Sequence, residues 1–181
     1  MDKNKEFLNL ILDRRSCRTY RPDPLPKALL AAIVEAGRYA PSGMNRQMNR
    51  FYIITDPKVL TAISQTVSRR LEHFAGKDCR YNAPALILVT NSRQNPSAIQ
   101  DASCAMENMM LAAASLGVGS RWINQPYHLR DDEEMLALLS TIGVGEEELV
   151  CASLSVGYPE GELFPGRRER TGNEVIWVCE N

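Results

Sequence analysis

Histidine is almost missing from this chain: His73 and His128 are the only two in 181 residues, and they lie far apart. The five cysteines, Cys17, Cys79, Cys104, Cys151 and Cys179, are odd in number and never spaced as CxxC. These scarcities argue against a zinc or iron–sulfur site and favour reduced thiols in a reducing compartment. No segment approaches the roughly 18 consecutive apolar residues of a membrane span. The opening MDKNKEFLNLILDRR has an apolar patch too short and interrupted for a secretory signal, and no small-residue cleavage site follows it. A cytoplasmic protein without membrane contact is therefore expected. Neither sign of charge is in excess, since 21 Lys and Arg face 22 Asp and Glu for a net charge of -1. No overall basic field exists to hold nucleic acid, so any bound anion must be met by a local cluster of arginines.

Repeats and low-complexity tracts are also missing. What remains, 44% hydrophobic and 24% charged, suits one domain spanning residues 1–181. Residues near 4–13 read as a short helix with Phe7, Leu8, Ile11 and Leu12 on one face. The Pro22-Asp23-Pro24 turn precedes a second helix reaching Tyr39, with Pro26 suited to its first position. Pro41 to Asn49 is a polar loop, Phe51–Ile54 a strand, and Asp56-Pro57 opens another helix. Leu86-Ile87-Leu88-Val89 is apolar without alternation, as in a central strand covered on both faces.

The region 97–116 predicts a helix, with Ala102, Met106, Met109, Ala113 and Leu116 recurring at gaps of four and three. Met110, Leu111, Ala112 and Ala114 extend the apolar character around it, so its second face needs burial by its own chain or by another subunit. Gly117-Val118-Gly119 stops this helix as a C-cap would. A charged helix near 131–141, a strand at about 149–156 and a final strand Val175 to Cys179 complete the chain. Helices and strands mix without βαβ alternation, which makes the class α+β.

Four polar clusters carry the candidate chemistry. Arg14-Arg15-Ser16-Cys17-Arg18 places three guanidiniums and a hydroxyl where they can grip a phosphate, although arginines in a last helical turn also serve its free carbonyls. Ser42, Asn45 and Gln47 put a hydroxyl and two amides on one loop, matching a heterocycle edge of alternating C=O and N–H, or forming an ordinary polar turn. Gly117-Val118-Gly119-Ser120-Arg121-Trp122 either caps a helix before a core Trp or offers backbone N–H groups and an aromatic to a planar ligand. Arg167-Arg168-Glu169-Arg170 is either a solvated loop or a further anion clamp.

The order of these clusters resembles the nitroreductase family. The residues that carry the likeness are Arg14-Arg15-Ser16-x-Arg18-x-Tyr20, Ala40-Pro41-Ser42-x-x-Asn45-x-Gln47 and Ala83-Pro84 with the strand after it. They continue through Asp101-Ala102-Ser103, Gly117-Val118-Gly119-Ser120-x-Trp122 and Val156-Gly157-Tyr158-Pro159 with its basic sequel. The resemblance implies a sheet flanked by helices, an intertwined homodimer, and FMN held between subunits. Arg14, Arg15 and Ser16 would hold the phosphate and ribityl chain, and Arg18 would lie near the N1–C2=O edge, where a fixed cation favours the reduced ring's charge. Ser42, Asn45 and Gln47 would come from the other subunit, Gly119, Ser120 and Trp122 would border the ring, and Arg168 and Arg170, or Arg167, would close over the phosphate.

The implied reaction is reduction of a nitroaromatic, quinone or similar small acceptor, with NADH or NADPH delivering hydride to the flavin first and leaving before the acceptor enters. A second reading keeps the fold and changes the reaction to reductive dehalogenation, dehydrogenation of a peptide azoline or flavin fragmentation, and a third is a flavin-storing or flavin-sensing protein that turns over poorly. Three departures stand out: Met48-Asn49 replaces a Pro-aromatic pair, Ile123-Asn124-Gln125-Pro126 replaces a Gly-rich turn, and only a short loop precedes the 97–116 helix, leaving no helical lid there. No side chain stands out as a catalytic acid, which leaves solvent as the proton source.

Overall fold

A computed structural model describes residues 3–167 and 169–179. The elements run α1 Lys3–Asp13, α2 Lys27–Arg38, β1 Arg50–Ile54, α3 Pro57–Arg70, β2 Ala85–Ser92, α4 Ala98–Ser115, β3 Gly119–Ile123, α5 Gln125–His128, α6 Glu133–Ser140 and β4 Glu148–Gly157. The four strands form one antiparallel sheet in the order β1-β2-β4-β3. This is an α+β architecture. No helix among the described residues is long and apolar enough to cross a membrane.

The unalternating run in β2 has the predicted cause. Ile87 and Val89 join a core with α2 and α4 on one face, whereas Leu86 and Leu88 join a second core with α3 and α6 on the other. Ala102, Met106, Met109 and Ala113 of α4 are fully buried on the first face. Gly37 lets α2 approach this helix, since a Cβ there would stand 2.8 Å from Met109 Cγ. The chain itself thus covers most of the apolar girth of α4, leaving Cys104 and Glu107 outward and Leu111 half-buried.

Several sequence expectations are corrected here. Pro26 is the residue before the first turn of α2, with extended ψ of 141, so the helix starts one position later than predicted. Gly117, at φ +73, is the left-handed cap of α4, while Gly119 is already in a strand. That strand, β3, follows the expected cap without appearing in the sequence pattern, and neither does the short helix α5. The predicted strand Val175–Cys179 does not form within the chain: Trp177 and Val178 are 84% and 95% exposed and pair with nothing. A strand needs a neighbouring edge to take its N–H and C=O groups, and this segment lies on neither edge strand, β1 or β3, of its own sheet.

Candidate cofactor site

The chain leaving α1 runs along the free edge of β3. Ser16 bridges Ser120 in parallel fashion, and Cys17 N–H donates to the Ser120 carbonyl at 2.9 Å. This brings Arg14, Arg15 and Ser16 against Gly119 and Ser120, two clusters separated by about half the chain. The approach demands glycine at 119, because a Cβ there would lie 2.8 Å from Cys17 Sγ and 2.9 Å from its Cβ.

Along this seam three buried polar atoms have no partner among the described residues: Arg14 Nη1, Arg15 Nε and Ser120 Oγ. A buried donor without a partner costs about 1–3 kcal/mol, so three along one backbone seam leave hydrogen-bonding capacity for an external group. Two of the three are cationic, which selects an anion rich in acceptor oxygens. The capping alternative also holds in part, since Arg15 Nη1 donates to the carbonyls of Leu12 and Arg14 at 2.9 and 2.7 Å. Among the described residues the Arg14 side chain has one ion pair, a long 3.8 Å contact with the half-exposed Glu107 carboxylate.

Arg18 is exposed at the mouth of a cavity of about 410 Å³ shared with Tyr20, Phe74, Lys77, Tyr81 and Glu160. Burial pushes the Tyr20 phenol up, so it is a neutral donor at every physiological pH. Burial also raises the Cys17 thiol, which leaves no thiolate beside the arginines. Arg121 stacks 4.3 Å from the centre of the Tyr81 ring and donates to its hydroxyl at 3.1 Å. Its Nε and the Gln125 Oε1 are further buried atoms without partners. Sequence reasoning missed Phe74, Lys77 and Tyr81 because they belong to no motif, whereas Tyr20 and Arg121 lay inside motifs and Gln125 inside the turn that departs from the family pattern.

The remaining predicted residues sit elsewhere. Trp122 is half-buried against the α4 core and donates from its indole to Asn124 Oδ1 at 2.6 Å. Ser42, Asn45 and Gln47 do not reach Arg14–Arg18 within the chain; Ser42 Oγ accepts from Gln47 N–H, and Gln47 donates to Asn45. Arg167 pairs with Asp13 and Asn9 on α1, and this guanidinium holds the Asp13 carboxyl below its usual range. That partner removes Arg167 from the free cations. Arg170 is exposed, and Arg168 lies outside the described residues. Among the described residues no group of His, Cys, Asp and Glu is arranged to hold a metal ion.

A four-stranded antiparallel sheet between two helical layers, with arginines and an unpartnered serine on one edge, defines an α+β fold with an anion-binding edge. Residues 11–158 match the model of the nitroreductase family, to which the chain belongs. A relative from Archaeoglobus fulgidus named NADH dehydrogenase/NAD(P)H nitroreductase is 32% identical over 87% of this chain and 88% of its own. An iodotyrosine deiodinase from Thermotoga neapolitana is 27% identical over 86% and 90%. The crystal structure of a Bacteroides fragilis nitroreductase with bound FMN superposes with a TM-score of 0.87 at 35% identity, covering 96% of this chain and 99% of that one.

Proposed function

We propose that the protein is a cytoplasmic, homodimeric FMN-dependent oxidoreductase, one domain over residues 1–181, that uses NADH or NADPH to reduce nitroaromatic, quinone or similar small acceptors. The observation that carries this reading is the pairing of the Arg14–Cys17 segment with Gly119 and Ser120, along which Arg14 Nη1, Arg15 Nε and Ser120 Oγ are buried with no partner among the described residues. FMN supplies a carrier that takes two electrons from one reactant and passes them to another. The protein binds and orients it. Arg14, Arg15, Ser16 and Ser120 satisfy phosphate and ribityl oxygens, assisted by Arg168 and Arg170, and Trp122 borders the ring. Arg18 puts a positive charge where negative charge develops on reduction. The neighbouring cavity, walled by Phe74 and Tyr81, gives aromatic surface on which a planar reactant stacks. The proton comes from solvent.

Two features support the dimer. Phe7, Leu8, Ile11 and Leu12 form an exposed apolar face on α1, and Val175–Val178 are exposed as well, large side chains of the kind that a subunit interface covers. A partner also gives Ser42, Asn45 and Gln47 a flavin to approach, and gives the C-terminal segment a sheet edge. A second reading keeps the fold and changes the acceptor to a halogenated aromatic amino acid, undergoing reductive dehalogenation. It is favoured by the deiodinase relative and by the cavity's mixture of Arg18, Lys77 and Glu160 with aromatic walls.

The common premise is tested on the purified protein, which should be yellow and release FMN when denatured. A colourless protein that cannot be loaded with FMN refutes both readings. Anaerobic mixing with NADH or NADPH should then bleach the flavin rapidly; bleaching by dithionite alone would mark a flavin-storage protein. Acceptor panels containing nitroaromatics, quinones and iodotyrosine separate the two enzymatic readings.

A further inference from the structure

The loop carrying Ser42, Asn45 and Gln47 is held in an unfavourable conformation. Met44, Asn45 and Gln47 have φ of +54, +55 and +53, the left-handed region that side chains avoid. Such a backbone persists only where its surroundings impose it, and here the constraint comes from the start of α4. Asp101, 3% exposed, accepts the Gly43 N–H at 2.8 Å through Oδ1 and the Asn95 amide at 3.0 Å through Oδ2. Asn95 also donates to Asn91 at 3.0 Å, Asn91 donates to Asn49 at 2.7 Å, and Asn49 returns a bond to the Asp101 carbonyl at 3.0 Å.

This closed ring grips both ends of the loop, Gly43 and Asn49. Asn49 belongs to the pair that departs from the family pattern. Gly43 has no room for a side chain, since a Cβ would meet Ser97 Oγ at 2.9 Å. No cation faces Asp101 among the described residues, so its charge is met by neutral N–H donors alone. A buried carboxylate without an ion pair is expensive to maintain, and its strongest return here is a charge-assisted bond to the loop backbone.

We propose that Asp101 is a positioning residue for the flavin that acts across the dimer: it sets the 42–47 loop of one subunit in the shape that the flavin of the other requires. The inference rests on the flavin-bound dimer proposed above. Asp101→Asn preserves shape but turns one accepting oxygen into a donor that must face either Gly43 N–H or Asn95. The FMN dissociation constant of the variant should rise about tenfold or more, the usual scale for losing a bond to a charged group.

A merely structural role is excluded by complementation. Chains bearing Asp101→Asn and Arg14→Ala are co-expressed with different tags and the heterodimer is isolated. If the loop serves the partner's flavin, one site contains both altered groups and the other contains neither. Half of the sites then bind FMN with wild-type affinity. Heterodimers with no wild-type site overturn the proposal, because every site then carries one lesion. So does an Asp101→Asn homodimer that binds FMN as tightly as wild type. Failure of the wild-type protein to bind FMN refutes the flavin reading instead.

Discussion

Replacing Arg14 by alanine should move stability and ligand affinity in opposite directions. Without ligand, the guanidinium has one long contact, 3.8 Å to a half-exposed Glu107, and pairs of that kind contribute only about 0–1 kcal/mol. Against that stands a buried Nη1 with no partner, a penalty of about 1–3 kcal/mol that truncation relieves. The apoprotein should therefore unfold in urea at the wild-type midpoint or slightly above it. With FMN the balance reverses, because the same atom becomes a charge-assisted donor to phosphate. Losing it should cost about 1.5–3 kcal/mol, or roughly 10- to 150-fold in dissociation constant. Quenching of flavin fluorescence on titration gives the affinity, and urea denaturation of FMN-free protein gives the stability. An unchanged FMN affinity, or an apoprotein destabilised by more than about 1 kcal/mol, would return Arg14 to the role of a helix cap and refute the argument.

Glu148 ties the sheet together from a nearly closed site, 4% exposed, where burial raises its carboxyl but bonds from Thr90, the Gly145 N–H, Tyr52 and Arg50 outweigh it and the net shift is downward. A depressed folded-state value means stability that is full above the unfolded carboxylate range and lost as pH falls through the folded value. Glu148→Gln should cost about 3 kcal/mol at pH 7 and flatten the acid limb of stability below about pH 4.5, read from urea midpoints across pH. Removing residues 175–181 should shift the dimer toward monomer in light scattering at micromolar concentration and weaken FMN retention; an unchanged dimer would mean that this segment is surface tail. Cys79 and Cys151, pushed up by burial to about 11 and about 12, should resist iodoacetamide at pH 8 until the protein is unfolded, and rapid native labelling would contradict their burial.

Elements whose apolar pattern is self-contained were legible without coordinates. The run 86–89, four residues after Pro84 without alternation, reads as a strand covered on both faces, and the spacing of Ala102, Met106, Met109 and Ala113 reads as a helix laid on a core. β3 escaped because its opening Gly-Ser reads as a cap and its five residues are too few to establish a period. Val175–Cys179 read as a strand from composition, yet strand formation depends on an edge to pair with, which composition does not supply.

The arginine cluster, the amide loop, the Gly-Ser turn and the basic sequel all stand in the sequence, in an order that identifies their family. Local residue chemistry determined that much: guanidiniums seek anions, amides seek heterocycle edges, and apolar periodicity seeks a core. Only the tertiary structure decided which groups meet. The chain leaving α1 lies along β3, so Ser16 pairs with Ser120 while side-chain atoms of Arg14, Arg15 and Ser120 are left unpaired among the described residues, and Arg167 is drawn to Asp13. The same folding places Asp101 behind the Ser42–Gln47 loop. Distances of that kind come from sheet order and helix packing, which long-range contacts set and no short segment encodes.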